Sequence, residues 1–273
     1  MKQRCTYRLL LTFLFGTLFV CIQGTHPGWS RAATASPQDL PAASTDLGRG
    51  ISLYDKGNCG EAVQVLQTVV RKRKDDLSAW HYLGLSFEKL GQPGEARKAH
   101  EKAAKLGATL VLGAIKKERD YISSLRPRRT ELIQASESAN SYIRLSRPTG
   151  AEFDEWSERS KSLKELVDLV SAEGQTSKIY TAKEVTKKAQ VIDVPEPDFL
   201  PDSSRHGSFE RVTLRGVFTA DGIVQGLVVL GDSYQGFSLA SIKAAHKIRF
   251  NPAIKDGKPV SMYMQFEFYS SVH

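Results

Sequence analysis

A catalytic or metal site in this 273-residue chain would have to come from six histidines, three cysteines and a serine set in Gly231-Asp232-Ser233. A hydrolytic serine needs a base held beside it. No Asp-x-x-His follows in the 40 residues after Ser233, in a stretch where a strand should turn into a helix. His26, His81, His100, His206, His246 and His273 show none of the paired spacings that metal-binding helices or hairpins use. His81 and His100 are expected as packing or surface groups on helices. Cys5 and Cys21 fall in the amino-terminal segment that reads as a secretion signal, which leaves Cys59 without a partner and suited to filling space between helices. No Gly-rich phosphate loop followed by Lys and Ser/Thr occurs. The chain is therefore expected to be no enzyme and to hold no cofactor and no metal. Its function is sought in surfaces that bind.

Charge narrows those surfaces. The formal net charge is +8, yet residues 185–273 carry ten basic and nine acidic side chains, a balance of +1. An excess so dispersed does not call for nucleic acid, and none is expected as a partner. Arg71-Lys72-Arg73-Lys74 is a dense basic run, and at the end of a helix its cations complement the carbonyl dipole. With 41% hydrophobic and 25% charged residues the chain is an ordinary globular one, which excludes general disorder, collagen and a disulfide scaffold.

The amino terminus bears on the compartment. Lys2, Arg4 and Arg8 precede an apolar run from Leu9 to Ile22, the order of a secretion signal. As a helix those residues would reach about 21 Å, against roughly 30 Å of bilayer hydrocarbon. Residues 1–35 are expected to be a cleaved signal, with an uncleaved anchor as the alternative, and membrane contact is expected only if the segment is retained. Residues 36–46 read as a flexible tether.

Internal repetition fixes the next architecture. A shift of 34 residues superposes Gly50 on Gly84, Leu53 on Phe87, Gly57 on Gly91, and Glu61-Ala62 on Glu95-Ala96. This pattern resembles the tetratricopeptide repeat, a pair of antiparallel helices. Gly50, Gly84, Ala62 and Ala96 would then lie where helices approach most closely. Leu53, Leu66, Trp80, Leu83 and Phe87 would fill the seam, and Gly57 and Gly91 would make the turns. The repeat region is expected over 47–126, with a third helix carrying Val111, Ile115, Ile122 and Leu125 before Pro127. Capping helices are expected over 127–172, the last with a stripe of Phe153, Trp156, Ser160, Leu163, Val167 and Val170.

A polar linker is expected at 173–183, and beyond Pro195, Pro197 and Pro201 the periodicity turns strand-like over a domain placed at 184–273. Val212, Leu214 and Phe218 alternate with polar residues, and Asp221-Gly222 turns the chain into a second strand. Ser238 could cap a helix bearing Leu239, Ile242 and Ala245. After Asp256-Gly257, Val260, Met262, Met264, Phe266 and Phe268 alternate with Ser261, Tyr263, Gln265, Glu267 and Tyr269.

These residues, with Pro195-Glu196-Pro197, Phe250-Asn251-Pro252-Ala253 and Asp256-Gly257-Lys258-Pro259-Val260, resemble the TonB carboxy-terminal domain. The expected fold class is α+β multidomain, with tetratricopeptide-like helical hairpins followed by a small β-β-α-β domain of that type. The resemblance implies a periplasmic or inner-membrane-anchored adaptor in a Gram-negative-type envelope, serving TonB-linked transport and binding proteins or peptides such as outer-membrane receptor segments. An unpaired strand edge can recruit such a segment, and Tyr263, Gln265, Glu267 and Tyr269 are the candidate contact residues. The alternative is a repeat scaffold for envelope assembly whose terminal domain forms a homodimer. Two departures stand out: Leu9–Ile22 is short and lacks the histidine and serine of the family's membrane helix, and helical repeats replace its proline-rich span.

Overall fold

The computed structural model describes residues 42–173, 178–199, 209–231 and 235–271. The expected signal, most of the tether, part of the linker, Pro201, Asp232-Ser233, His26, His206 and His273 lie outside the described residues.

Helices α1 (Ala42–Asp55) and α2 (Cys59–Lys72) form one antiparallel hairpin, and α3 (Leu77–Lys89) and α4 (Pro93–Lys117) a second. Both turn on a left-handed glycine, Gly57 at φ +82° and Gly91 at φ +67°, which a side chain would strain. The same bond closes each turn, Asn58 N–H to Leu53 C=O and Gln92 N–H to Phe87 C=O, both at 2.9 Å. The hairpins close on small residues. A methyl group at Gly50 would sit 2.7 Å from Leu66, and one at Gly84 would sit 2.6 Å from the His100 ring. Ala62 and Ala96 are fully buried, Cys59, Leu66, Leu83 and Phe87 lie in the core, and Leu53 is half-buried. Trp80 is half-buried too, its indole N–H donating to Lys74 C=O at 3.0 Å.

Past the repeats the expected third helix is not a separate one. With no proline between Pro93 at its start and Pro127, α4 runs on for 25 residues and carries Val111 and Ile115 itself. Ile122 and Leu125 belong to a short α5 (Tyr121–Leu125), followed by a 3-10 turn at Arg126–Arg128. Helix α6 (Arg129–Ser146) lies against α4 so closely that a methyl group on Gly107 would overlap Ala135. Helix α7 (Gly150–Ser171) buries Trp156, Ser160, Leu163, Leu166 and Val170. Phe153, expected in that stripe, is exposed, and Val167 is only half-buried because Leu166 points inward in its place.

His81 and His100 meet inside the helical layer. Both Nδ1 atoms approach Ser138 Oγ, at 3.0 and 3.3 Å, and His100 Nε2 lies 2.8 Å from Glu88, which pairs with Arg144 at 2.5 Å. Burial, aided by the neighbouring His100, lowers His81 from 6.5 to about 4. Burial also lowers His100, against the pull of Glu88.

The carboxy-terminal half contains β1 (Ile179–Tyr180), β2 (Gln190–Asp193), β3 (Phe209–Phe218), β4 (Val224–Val229), α8 (Gln235–Ala245), β5 (Arg249–Asn251), β6 (Ala253–Lys255) and β7 (Lys258–Ser271). The main sheet has the order β1-β7-β3-β4, with β6 on β7, while β2 and β5 make a separate pair. Four short strands thus join the expected β-β-α-β core. One of them, β1, arises in the stretch expected as linker, where Ile179 is apolar enough to be buried. Ser238 lies inside α8, which starts earlier, at Gln235. Asp256 and Gly257 both have positive φ, the requirement of the two-residue turn joining β6 to β7.

Pleating divides β7 between two cores. Met262, Met264, Phe266 and Phe268 pack with Phe218, Phe237 and Phe250. Tyr263, on the opposite face, joins Val217, Ile179, Tyr121 and Leu166 in a core shared with the helices.

Two outcomes are expected. Gly84→Val, forced onto the His100 ring, should cost about 1–3 kcal/mol in urea denaturation. His81 is neutral in the fold, whereas the unfolded chain takes up a proton at the ordinary value. Stability should therefore be complete well above pH 6.5 and fall, by about 3 kcal/mol, as pH drops toward 4. His81→Asn should flatten that slope.

Candidate functional site

Strand β7 is long, 14 residues, and unequally paired along its two sides. Along one side β3 runs antiparallel from Phe209↔Ser271 to Phe218↔Met262. On the other side β1 pairs only at Ile179↔Ser261 and Tyr180↔Met262. From Tyr263 to Ser271 no strand among the described residues occupies the β1 side.

The alternation of an antiparallel ladder says which backbone groups face that vacancy. Leu230 N–H donates to Thr213 C=O and Thr219 N–H to Ile223 C=O, so odd-numbered β3 residues bond toward β4. Even-numbered β3 residues then bond toward β7, where their partners are Met262, Met264, Phe266, Phe268 and Ser270. The amides and carbonyls of Tyr263, Gln265, Glu267 and Tyr269 point the other way, those of Tyr263 beside the end of β1 and those of the other three to the open margin.

Their side chains differ more than the sequence pattern implies. Tyr263 was expected on an exposed face, yet it is buried against the helices, 5.1 Å from the Tyr121 ring, and its hydroxyl donates to Asp120 Oδ1 at 2.5 Å. Burial and the nearby Asp120 charge both push its phenol upward. Burial acts to raise Asp120, but hydrogen bonds from Tyr263 and Ser123 outweigh it and hold this carboxyl below its ordinary value. Glu267 is also buried, accepting from Thr213 Oγ1 at 3.0 Å and from the Tyr269 hydroxyl. Gln265 and Tyr269 remain half-buried.

Arg215, across the ladder from Gln265, joins the two halves of the molecule. Its guanidinium donates to Ile115 C=O at 3.0 Å and Arg119 C=O at 2.6 Å, beside the rings of Tyr121 and Tyr263. The first carbonyl is an orphan of the last turn of α4 and the second lies two residues beyond the helix end, so one cation satisfies a helix terminus and the turn that follows it while anchored on the sheet.

The far edge of the sheet is partly engaged. Between Arg215 and Val217 the β3–β4 register slips, and Gly226 sits at φ +61°. That bulge presents the Gly226 N–H to Glu165 at 2.8 Å. Burial raises the Glu165 carboxyl, with His246 at 3.8 Å opposing the shift. Beside β4 lies a cavity of about 400 Å³ walled by Val111, Leu163, Leu166, Leu227 and Ile242.

No group of three or more His, Cys, Asp or Glu able to hold a metal occurs among the described residues. Sequence reasoning missed Arg215, Asp120 and Gly226. Only Gly226 left a signal, a glycine interrupting an apolar strand.

Tyr263→Phe should destabilise the chain by about 1–2 kcal/mol, and Arg215→Ala by more because two carbonyls lose their donor. Protection in hydrogen exchange should fall on both α5 and β7. Because Asp120 is depressed, its share of the stability should be present above the ordinary carboxylate value and fade as pH falls through the lowered one.

Residues 195–269 match the family described as Gram-negative bacterial TonB protein C-terminal. Among solved structures, the chain is similar to the Yersinia enterocolitica type III secretion chaperone SycD in complex with a peptide of the translocator YopD. The identity is 18%, with 50% of this chain and 100% of that chain covered and a TM-score of 0.25. It is also similar to SycD in an alternative dimer, at 19% identity, the same coverages and a TM-score of 0.25. A further SycD structure matches at 22% identity, covering 46% and 83%, with a TM-score of 0.24. No curated protein matches the chain.

Proposed function

We propose that this chain, which carries a TonB carboxy-terminal domain behind tetratricopeptide-like hairpins, is a non-catalytic envelope adaptor that captures an extended partner segment along β7. The domain supports a TonB-type role in envelope transport, and a receptor segment facing the periplasm is the partner this reading favours.

The observation that carries the reading is the unpaired margin from Tyr263 to Ser271. Nine residues give about 30 Å of ladder. The outward amides and carbonyls of Gln265, Glu267 and Tyr269 supply sequence-independent affinity. Selectivity comes from the two faces: an arriving strand would place alternate side chains beside Phe266 and Phe268, or beside Gln265 and Glu267. Packing of the sheet against the helices, through Arg215 and Tyr263, holds the margin in extended form before the partner arrives and lowers the ordering cost of binding.

Proline separates the two sides of the strand, because it removes a single N–H. Gln265→Pro removes an outward amide and leaves the β3 ladder intact, whereas Phe266→Pro removes a ladder amide. Gln265→Pro should weaken capture of receptor-derived peptides at least about tenfold, the equivalent of one charge-free hydrogen bond plus its neighbours, with the melting temperature nearly unchanged. Phe266→Pro should unfold the domain. Undiminished capture by Gln265→Pro would instead assign binding to the helical repeats.

A further inference from the structure

The antiparallel hairpins bring separate basic segments to one end of the helical layer. Arg71, Lys72 and Lys74 lie at the finish of α2, and Lys116, Lys117 and Arg119 at the finish of α4; all six are exposed. Arg128 and Arg129, also exposed, lie at the start of α6. Asp75, in the turn between α2 and α3, and Leu77, the first residue of α3, line one cavity with Lys117 and Arg128, and Ser78 donates to Gln134 at 2.7 Å, so these three ends are neighbours. Lys72 pairs with Asp46 and Arg128 with Glu131. Arg71, Lys74, Lys116, Lys117, Arg119 and Arg129 have no ion-pair partner among the described residues. The exposed acids here are Asp75, Glu118 and Asp120, the last engaged by Tyr263. At the opposite end charges compensate: Asp55 follows the chain beside Lys56, Glu95 pairs with Lys98, and Arg144 pairs with Glu88.

The same end receives the start of α1: Lys72 lies 3.5 Å from Asp46 in its first turns, beside the basic cluster. In the sequence the apolar run Leu9–Ile22 is separated from Ala42 by residues 23–41, a length of chain that could reach at most roughly 65 Å.

We infer that this basic end docks on an anionic lipid surface, with lipid phosphates as its ligands. Each lysine or arginine close to such a surface adds to the attraction, which fades within a Debye length, so cations gathered at one end act together where a dispersed excess would not. The inference rests on the envelope reading for its setting, where a bilayer lies within reach of the amino-terminal segment. A single-stranded nucleic acid would call for aromatic stacking platforms among the cations. The aromatic residues here do not offer them: Tyr121 is fully buried and the Trp80 indole is tied to Lys74 C=O.

The test uses the full chain in co-sedimentation with vesicles of phosphatidylcholine alone or mixed with phosphatidylglycerol. Binding to the anionic vesicles should be at least about tenfold tighter, and the difference should vanish at high salt. Lys74→Glu/Lys117→Glu/Arg129→Glu should reduce anionic-vesicle binding to the level of the neutral vesicles, where the apolar segment acts alone. The variant should retain its circular dichroism and its capture of peptide at β7, which separates this inference from the proposed function. Equal partitioning of the unaltered chain onto both vesicle types would overturn it. So would undiminished binding by the folded variant, or tighter binding of a DNA duplex than of the anionic vesicles.

Discussion

A β-strand must satisfy backbone groups on both of its sides, and β7 does so on only one beyond Met262. Its even-numbered residues are locked to β3, while the odd-numbered ones present donors and acceptors to the solvent. Such a margin is ordinarily a hazard, because any extended chain can pair with it. What confines it here is its setting. Strand β1 closes the margin at its start, the aromatic core beneath Phe266 and Phe268 fixes the pleat, and the partner strand β3 is tied to the helices.

The tie explains why helical repeats and a small sheet share a chain. The last turn of α4 leaves the Ile115 carbonyl without an intrahelical donor, and Arg215 on β3 supplies one there and another to Arg119 C=O just past the helix. The opposite face of the sheet needs covering, and Tyr121, Leu166 and Tyr263 provide a common apolar seam. Neither half is complete alone: the helical end would lack its cap, and the outer sheet face would expose Val217 and Tyr263. The bulge at Gly226 adds a third point of attachment through Glu165, which also occupies part of the far sheet edge and leaves β7 as the longer free margin.

Much of this was legible in the residues. Gly57 and Gly91 announced turns because only glycine tolerates their backbone angles, and the alternation from Val260 to Phe268 announced a strand with one apolar face. The Asp256-Gly257 pair announced its own turn type. Failures came where tertiary contact overrides local pattern. Ile179 and Tyr180 form a strand only because β7 offers them an edge, so their segment reads as linker in isolation. The length of α4 follows from the absence of a breaker, which a search for repeat periodicity does not weigh. Tyr263 alternates with apolar residues and so reads as exposed, but the helices cover that face, a fact carried by residues about 140 positions away. Arg215, for the same reason, gave no sign of its role: a cation on a polar strand face is ordinarily solvated.

Amide hydrogen exchange along β7, resolved residue by residue in dilute protein, tests the one-sided ladder most directly. Gln265, Glu267 and Tyr269 should exchange rapidly while Met264, Phe266 and Phe268 remain protected. Uniform protection through both sets would mean that another backbone already fills the margin, and the account of β7 as a vacant edge would fail.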